Sequence, residues 1–106
     1  MSSQHIVTVF RSRLRADAGD DYAHTAAEME QLARAVPGFV DFKQFVADDG
    51  ERVSLITFAS KAAHDQWRDD ARHRAAQQRG REDWYAEYRI QVCELVAERN
   101  FSAELG

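Results

Sequence analysis

Strand-forming and helix-forming segments follow one another in an order that constrains the fold of this chain more than any other feature. Runs rich in β-branched and aromatic residues predict four strands, over residues 5–14, 39–47, 52–59 and 89–97. Apolar residues at helical spacing predict a helix over residues 21–35, ended by Pro37-Gly38, and a second helical region after Ser60. The run Asp48-Asp49-Gly50-Glu51 predicts a hairpin turn between the second and third strands.

This order, β-α-β-β-α-β, is that of the ferredoxin-like α+β fold, in which both helices cover one face of an antiparallel sheet. The predicted strands are apolar on both faces. In the second strand, for example, Val40 and Phe42 oppose Phe39 and Phe45. An uncovered apolar face predicts that two copies pack sheet against sheet as a homodimer, with the tail 98–106 at the interface. The alternative is a monomer whose tail covers the second face.

Length and composition exclude several classes of protein. The 106 residues fit one domain spanning 1–106, and the net charge of −4 comes with arginines interleaved among acids, which argues against a nucleic-acid partner. Cys93 is the only cysteine, which excludes an intramolecular disulfide and favours a reducing compartment. The N-terminal segment does not resemble a signal peptide, and no apolar run reaches the roughly 18 residues of a membrane helix. We therefore predict a cytoplasmic protein that does not enter a membrane.

The segment from Ser60 to Val92 concentrates the residues suited to a binding site. Ser60 is predicted to cap a helix that ends or breaks at Gly80. Residues four apart on this helix share its apolar face, namely Ala63, Trp67, Ala71 and Ala75. A short amphipathic segment then carries three aromatic rings toward the last strand, those of Trp84, Tyr85 and Tyr88. Such a segment can wall a small-molecule pocket and supply polar groups from His73, Gln77 and Arg81.

Trp67 and His73 are the central candidates in this pocket. Trp67 is expected to be both a core residue and a pocket wall, because its small neighbours leave room beside the ring. His73 follows it by six residues, or about 600° of helical rotation, which predicts a position at the edge of the apolar face. There it could act as a base toward a phenol, or it could be a solvated or capping histidine. Arg81 and Tyr88 could orient an oxyanion or could belong to a salt-bridged surface.

Metal, nucleotide and thiol chemistry are not predicted. A run of potential metal ligands occurs in the second helical region (His64, Asp65, Asp69, Asp70 and His73), but it lacks a metal-binding motif and is interpreted as a solvated charged face. Cys93 lies in the middle of a predicted strand, where a thiol is usually inert. No glycine-rich phosphate loop occurs in the sequence, so no nucleotide cofactor is expected.

With these residues in view, the chain resembles the antibiotic biosynthesis monooxygenase family, whose members are ferredoxin-like proteins that dimerise into an α/β barrel. The resemblance extends from about Ile6 to Val96. Its matching features are Pro37-Gly38-Phe39-Val40, Asp49-Gly50-Glu51-Arg52-Val53, Phe58, Trp67, the run from His73 to Gln77, Gly80-Arg81, and Tyr85 to Tyr88. The resemblance implies oxygenation of small aromatic substrates without metal or flavin, or, in another branch, haem degradation.

The two branches make different demands on the site. The oxygenating branch places a Trp in the pocket and a Tyr six residues later; Trp67 and His73 match that spacing, with His in place of Tyr. The haem-degrading branch requires an Asn on the first strand and a His about ten residues after the Trp. Here these positions hold Ser12 and Gln77.

We therefore predict a cofactor-independent monooxygenase that oxidises a small aromatic or quinol-like substrate with O2. His73 and Trp67 are the predicted catalytic residues. The predicted substrate-binding residues are Gln77, Arg81, Tyr85 and Tyr88. A non-catalytic dimeric module that binds a small molecule is the alternative, and a haem-binding or haem-degrading protein is the third and least supported hypothesis.

Overall fold

Four antiparallel strands form one sheet in the spatial order β2-β3-β1-β4. The computed structural model describes residues 4–103. Its elements follow the chain as β1 (Ile6–Leu14), α1 (Asp21–Ala35), β2 (Phe39–Val46), β3 (Arg52–Phe58), α2 (Lys61–Arg68), α3 (Ala71–Arg79), a π-helical turn (Gly80–Trp84) and β4 (Tyr85–Glu94). The predicted ferredoxin-like α+β fold is confirmed, with the second helical region divided into three parts.

The helices cover one face of the sheet, which we call the inner face. In the strand register Thr8 pairs with Ile56 and Val92, and Phe10 pairs with Ser54 and Ile90. The hydrophobic core joins this face to α1 and α2 through Ala33, Val36, Ile56, Phe58, Ala63 and Trp67. Because side chains alternate between the two faces along a strand, every second residue contributes its side chain to the inner face.

The first helix and the turn after it follow the prediction closely. Helix α1 has the predicted bounds, and the chain then turns at Gly38, whose φ of 100° is a conformation that favours glycine. A Cβ on Gly38 would lie 3.0 Å from the Cβ of Ala63. Glycine therefore allows both the turn and the close approach of α2 to it.

The prediction of one continuous second helix is wrong. The Ser60 cap is confirmed, since its hydroxyl accepts a hydrogen bond from the Ala63 N–H at 3.2 Å. Helix α2 nevertheless stops at Arg68, and α3 begins after Asp70, whose carboxylate accepts from the Arg72 N–H at 2.8 Å. Aspartate side chains compete with the helix for backbone donors and favour caps, so two in succession split the helix. The predicted four-residue face is interrupted, and its last two members, Ala71 and Ala75, are exposed.

The last strand starts earlier than predicted. Tyr85 and Tyr88 belong to β4 itself, where they pair with Leu14 and Ser12 of β1, rather than to a separate amphipathic segment. The register shifts between Arg13 and Leu14, which brings both tyrosines to the inner face. Strand β4 ends at Glu94 instead of residue 97, and the other predicted strand ends differ by one residue at most.

The other side of the sheet, the outer face, remains without helices. It carries Val9, Val53, Leu55 and Phe45, the last of which is 48% exposed. The part of the tail that the structure describes does not cover this face within the protomer, because the Phe101 side chain is 91% exposed. Leu105, the other large apolar residue of the tail, lies outside the described residues. In the described part of the chain, none of the helices is long and apolar enough to cross a membrane.

Candidate active site

A cavity of about 250 Å³ lies between the inner face and the helices. Helices α2 and α3 supply Trp67, His64, His73 and Gln77 to its wall. The strands supply an aromatic and polar floor that includes Thr8, Phe10, Ser54, Tyr85 and Tyr88. Apolar walls with a few converging polar groups are typical of small-molecule sites.

Trp67 and His73 stack against each other in this cavity. Their ring centroids are 4.1 Å apart and the ring planes differ by 27°. Both are buried, and the Trp67 indole N–H donates to the carbonyl of Met29 at 3.2 Å, which fixes the indole against α1. The helix break at Asp69 and Asp70 changes the direction of the chain between the two rings. The rotation expected for one straight helix therefore does not apply, and His73 lies over the indole rather than at the edge of the apolar face.

Hydrogen bonding and burial define the protonation of His73. Its Nδ1 lies 3.4 Å from the Arg68 carbonyl, which can only accept, so we assign the ring proton to Nδ1. In the neutral ring Nε2 then carries a free lone pair. Burial lowers the pKa of His73, and the Arg68 carbonyl and Asp70 offset this only in part. The neutral form, which can accept a proton, is therefore favoured near pH 7.

His64 is a second buried histidine of the cavity, and its place there was not predicted from the sequence. It is 3% exposed, its Nδ1 lies 3.0 Å from a carboxylate oxygen of Asp65, and its ring lies edge-on to Phe58. Its position three residues before Trp67, on the same helical face, is the signal that could have found it. The interpretation of this whole run as a solvated face is therefore wrong for His64 and His73.

The aspartates of that run do form a charged surface. Lys61 and Arg68 bind Asp65 at 2.7 and 3.3 Å, and arginines on either side hold the pKa of Asp69 at about 2. These carboxylates already have cationic partners. The part of the chain that the structure describes contains no group of three or more His, Cys, Asp or Glu side chains arranged to hold a metal ion.

Tyr85 and Tyr88 lie on the strand side of the cavity in a cluster of aromatic rings. Phe10 lies 5.5 Å from Tyr85 and 5.7 Å from Tyr88, and Tyr22 lies 5.8 Å from Tyr85, measured between ring centroids. Burial, aided by the nearby Tyr22 phenol, raises the pKa of Tyr85 beyond its usual range. Tyr85 therefore stays protonated and can donate a hydrogen bond. A Cβ on Gly80 would lie 2.5 Å from the Tyr85 ring, so glycine is what allows the ring to lie there.

The structure places five of the six predicted site residues on the cavity wall. They are Trp67, His73, Gln77, Tyr85 and Tyr88. Arg81 is exposed and does not line the cavity; its guanidinium donates to the Tyr88 hydroxyl at 3.2 Å. Arg81 thus contacts a residue of the cavity wall without lining the cavity itself.

Polar groups on the floor of the cavity were not singled out from the sequence. The Gln44 amide donates to the Ser54 hydroxyl at 3.2 Å. Thr8 is 4% exposed, and its hydroxyl has no hydrogen-bond partner among residues 4–103. The sequence could have indicated them, since Thr8 and Ser54 are polar residues at strand positions that face the helices. A buried polar group without a partner costs stability, so these groups are suited to a ligand.

Comparisons with known proteins agree with this fold. YqjZ of Bacillus subtilis, itself uncharacterized, is 30% identical over 93 residues, which cover 88% of this chain and 82% of the relative. Rv0793 from Mycobacterium tuberculosis superposes with a TM-score of 0.78 at 20% identity, over 91% of this chain and 99% of that one. SnoaB from Streptomyces nogalater, a cofactor-independent oxygenase, superposes with a TM-score of 0.73 at 13% identity, over 95% of this chain and 100% of that one.

Similarity to a family covers most of the sequence. The sequence model described as "antibiotic biosynthesis monooxygenase" matches residues 5–79, which include β1 to β3, all of α1 and α2, and α3 with both members of the Trp67–His73 stack. With the relatives above, this match shows that the chain belongs to the antibiotic biosynthesis monooxygenase family.

Proposed function

We propose that the protein is a cofactor-independent monooxygenase that oxidises a small aromatic phenol or quinol with O2. The observation that carries this proposal is the Trp67–His73 stack, which holds a neutral imidazole against an aromatic wall inside the cavity. A base that is unprotonated near pH 7 and lies beside an aromatic substrate is what deprotonation of a phenol requires. The cofactor-independent oxygenase SnoaB, which has the same fold, supports the same reaction class.

The reaction begins with proton transfer from the substrate phenol to Nε2 of His73. The resulting electron-rich anion gives one electron to O2, the two radicals combine into a carbon-bound peroxide, and His73 returns its proton to the outer oxygen to give the hydroperoxide. Where that carbon carries a hydrogen, loss of water leaves a carbonyl, so one oxygen atom enters the product and the other enters water. All four electrons that O2 accepts come from the substrate, which balances the reaction without a reductant.

The remaining cavity residues would stabilise the anion. Tyr85 and Tyr88 offer phenolic O–H groups, and Tyr85 is kept protonated by its raised pKa. Trp67 offers a flat apolar wall that excludes water from one side of the ring plane. Donors fixed in a poorly hydrated site stabilise developing negative charge more strongly than water does. Gln77 adds an amide on the helix side of the cavity.

Oxygen uptake tests this function directly. The purified protein is mixed with reduced naphthols, anthrones and quinols, and consumption of O2 is compared with the buffer rate. We expect uptake above background for at least one substrate, with one atom of isotopically labelled O2 in the product. Tight binding of these compounds with no uptake would favour the non-catalytic binding module instead.

The pH dependence of the reaction should report the environment of His73. Since the base works only when unprotonated, kcat/KM should fall as pH decreases through the His73 pKa, which burial lowers from the ordinary 6.5. The acid limb is therefore expected below pH 6.5. It is measured with a substrate whose phenol titrates at much higher pH, and His24→Ala, which removes an 80% exposed imidazole, is the control. A limb centred above pH 6.5 would contradict the assignment of the base.

We also propose that the protein is a homodimer that buries the outer face. The apolar surface of Val9, Val53, Leu55 and Phe45 supports this, because a patch of that kind is unfavourable in contact with water. Light scattering coupled to gel filtration is expected to give twice the chain mass of 12.1 kDa. Phe45→Glu should shift the protein toward the monomer, whereas a monomeric wild type would exclude this interface.

The single cysteine supports a reducing location. Cys93 is exposed and has no second cysteine in the sequence with which to pair. An exposed free thiol persists where the surroundings keep it reduced. We therefore propose that the protein acts in the cytoplasm.

A further inference from the structure

A second chamber adjoins the cavity beneath α1. Its volume is about 340 Å³, and it shares the wall residues Tyr22, Ala26 and Gln44 with the first cavity. The two cavities therefore meet at these residues, so a molecule held beside His73 can extend toward the second chamber. The chamber contains one cationic side chain, that of Arg52 on β3.

Arg52 lacks the partners that the neighbouring arginines have. No carboxylate among residues 4–103 lies within 4 Å of its guanidinium, and its Nε is buried without a hydrogen-bond partner. The only carboxylate of the chamber, Glu30, is engaged by Arg34 at 2.8 Å. The Arg52 guanidinium lies over the Tyr22 ring, whose centroid is 5.8 Å from its central carbon.

A guanidinium in this position is suited to a carboxylate. Its planar fork binds a carboxylate through two parallel hydrogen bonds, and such charge-assisted bonds are stronger than neutral ones. A buried donor without a partner costs stability, and that cost disappears when a ligand supplies the acceptor. The nearby Gln44 amide can hold a second oxygen of the same ligand.

The positions of Arg52 and the Trp67–His73 stack indicate the shape of that ligand. Trp67 contacts Phe58 at one end of β3, with ring centroids 5.7 Å apart, and Arg52 is at the other end. Six residues of strand separate them, or about 20 Å along the backbone, which side chains shorten from both ends. We propose that the substrate is an elongated aromatic carboxylic acid whose carboxylate binds Arg52 while its ring lies beside His73. The position of the reactive ring rests on the proposed function.

Binding of a matched pair of unreactive compounds tests this inference. Naphthylpropanoate and naphthylpropanamide have nearly the same shape and differ in charge. Quenching of tryptophan fluorescence is expected to show the acid binding about tenfold or more tightly than the amide. Arg52→Met, which keeps much of the aliphatic stem, should reduce this preference to about one without weakening binding of the amide. Arg99→Met, which removes the same charge from the exposed tail, should keep the preference.

A second variant at the same position keeps the test decisive. Arg52→Lys, which keeps a point charge, should retain part of the preference even if Arg52→Met proves unstable to heat. Equal binding of acid and amide, binding of neither, or an unchanged preference in Arg52→Met would overturn the inference. Because the assay involves no turnover, its result is separate from the oxygen-uptake test. Oxygen uptake without preferential binding of the acid would contradict only the role of Arg52. Preferential binding of the acid without oxygen uptake would contradict only the oxygenase proposal.

Discussion

His73→Ala is expected to lower the rate of oxygen uptake by about 10²–10⁴-fold, the usual contribution of a general base. The expectation follows from the Nδ1 contact with the Arg68 carbonyl and from the lowered pKa, which together leave Nε2 free to take a proton. The measurement is kcat/KM for O2 consumption with the best substrate of the naphthol, anthrone and quinol panel. His24→Ala, at an exposed histidine paired with Glu28, is the matched control and should be unaffected.

A loss of activity in His73→Ala could also arise from packing, because the imidazole stacks on Trp67. Added imidazole separates the two causes. A small base that enters the vacated space should restore part of the rate if proton transfer is what was lost, and should restore none if Trp67 has moved. Trp67→Phe keeps an aromatic wall but removes the N–H bond to Met29, so a smaller loss is expected. A folded His73→Ala variant with the wild-type rate would exclude His73 as the base.

The parts of this fold that could be predicted from the sequence are those that local chemistry decides. The Ser60 hydroxyl caps α2, Gly38 has the backbone conformation that favours glycine, and α1 has the predicted bounds. Each of these depends on residues within one or two turns of one another. The order of strands and helices then leaves few ways to connect them, so the topology followed as well.

The site was predicted less completely because it depends on how the elements pack. Asp69 and Asp70 break the helix, and this break, not the spacing of six residues, places His73 on Trp67. A periodicity argument assumes a straight helix and cannot foresee the change of direction. Thr8 and Arg52 illustrate a second limit. The sequence shows which face of the sheet each of them is on. Whether a polar side chain on the inner face contacts a helix or a cavity depends on how α1 and α3 pack above it.

Phe58→Ala is expected to lower the free energy of unfolding by about 3–5 kcal/mol, the usual cost of removing a buried aromatic ring. Phe58 is fully buried, and its ring packs against those of Phe39, His64 and Trp67 at centroid distances of 6.1, 6.0 and 5.7 Å. It therefore joins the start of β2, the end of β3 and helix α2. Unfolding in guanidinium at one fixed protein concentration measures the loss, since dimerisation would make stability depend on concentration.

The control for Phe58→Ala is the same substitution at Phe101, which is 91% exposed and should change the free energy of unfolding by less than about 0.5 kcal/mol. A loss below about 1 kcal/mol in Phe58→Ala would contradict the central place of this ring in the core. An unexpectedly large loss in Phe101→Ala would have a different meaning. Because Phe101 is exposed in the protomer, such a loss would indicate that the tail is buried against a second subunit, as the dimer proposal allows. The pair of variants thus tests the core of the protomer and the position of the tail with one measurement.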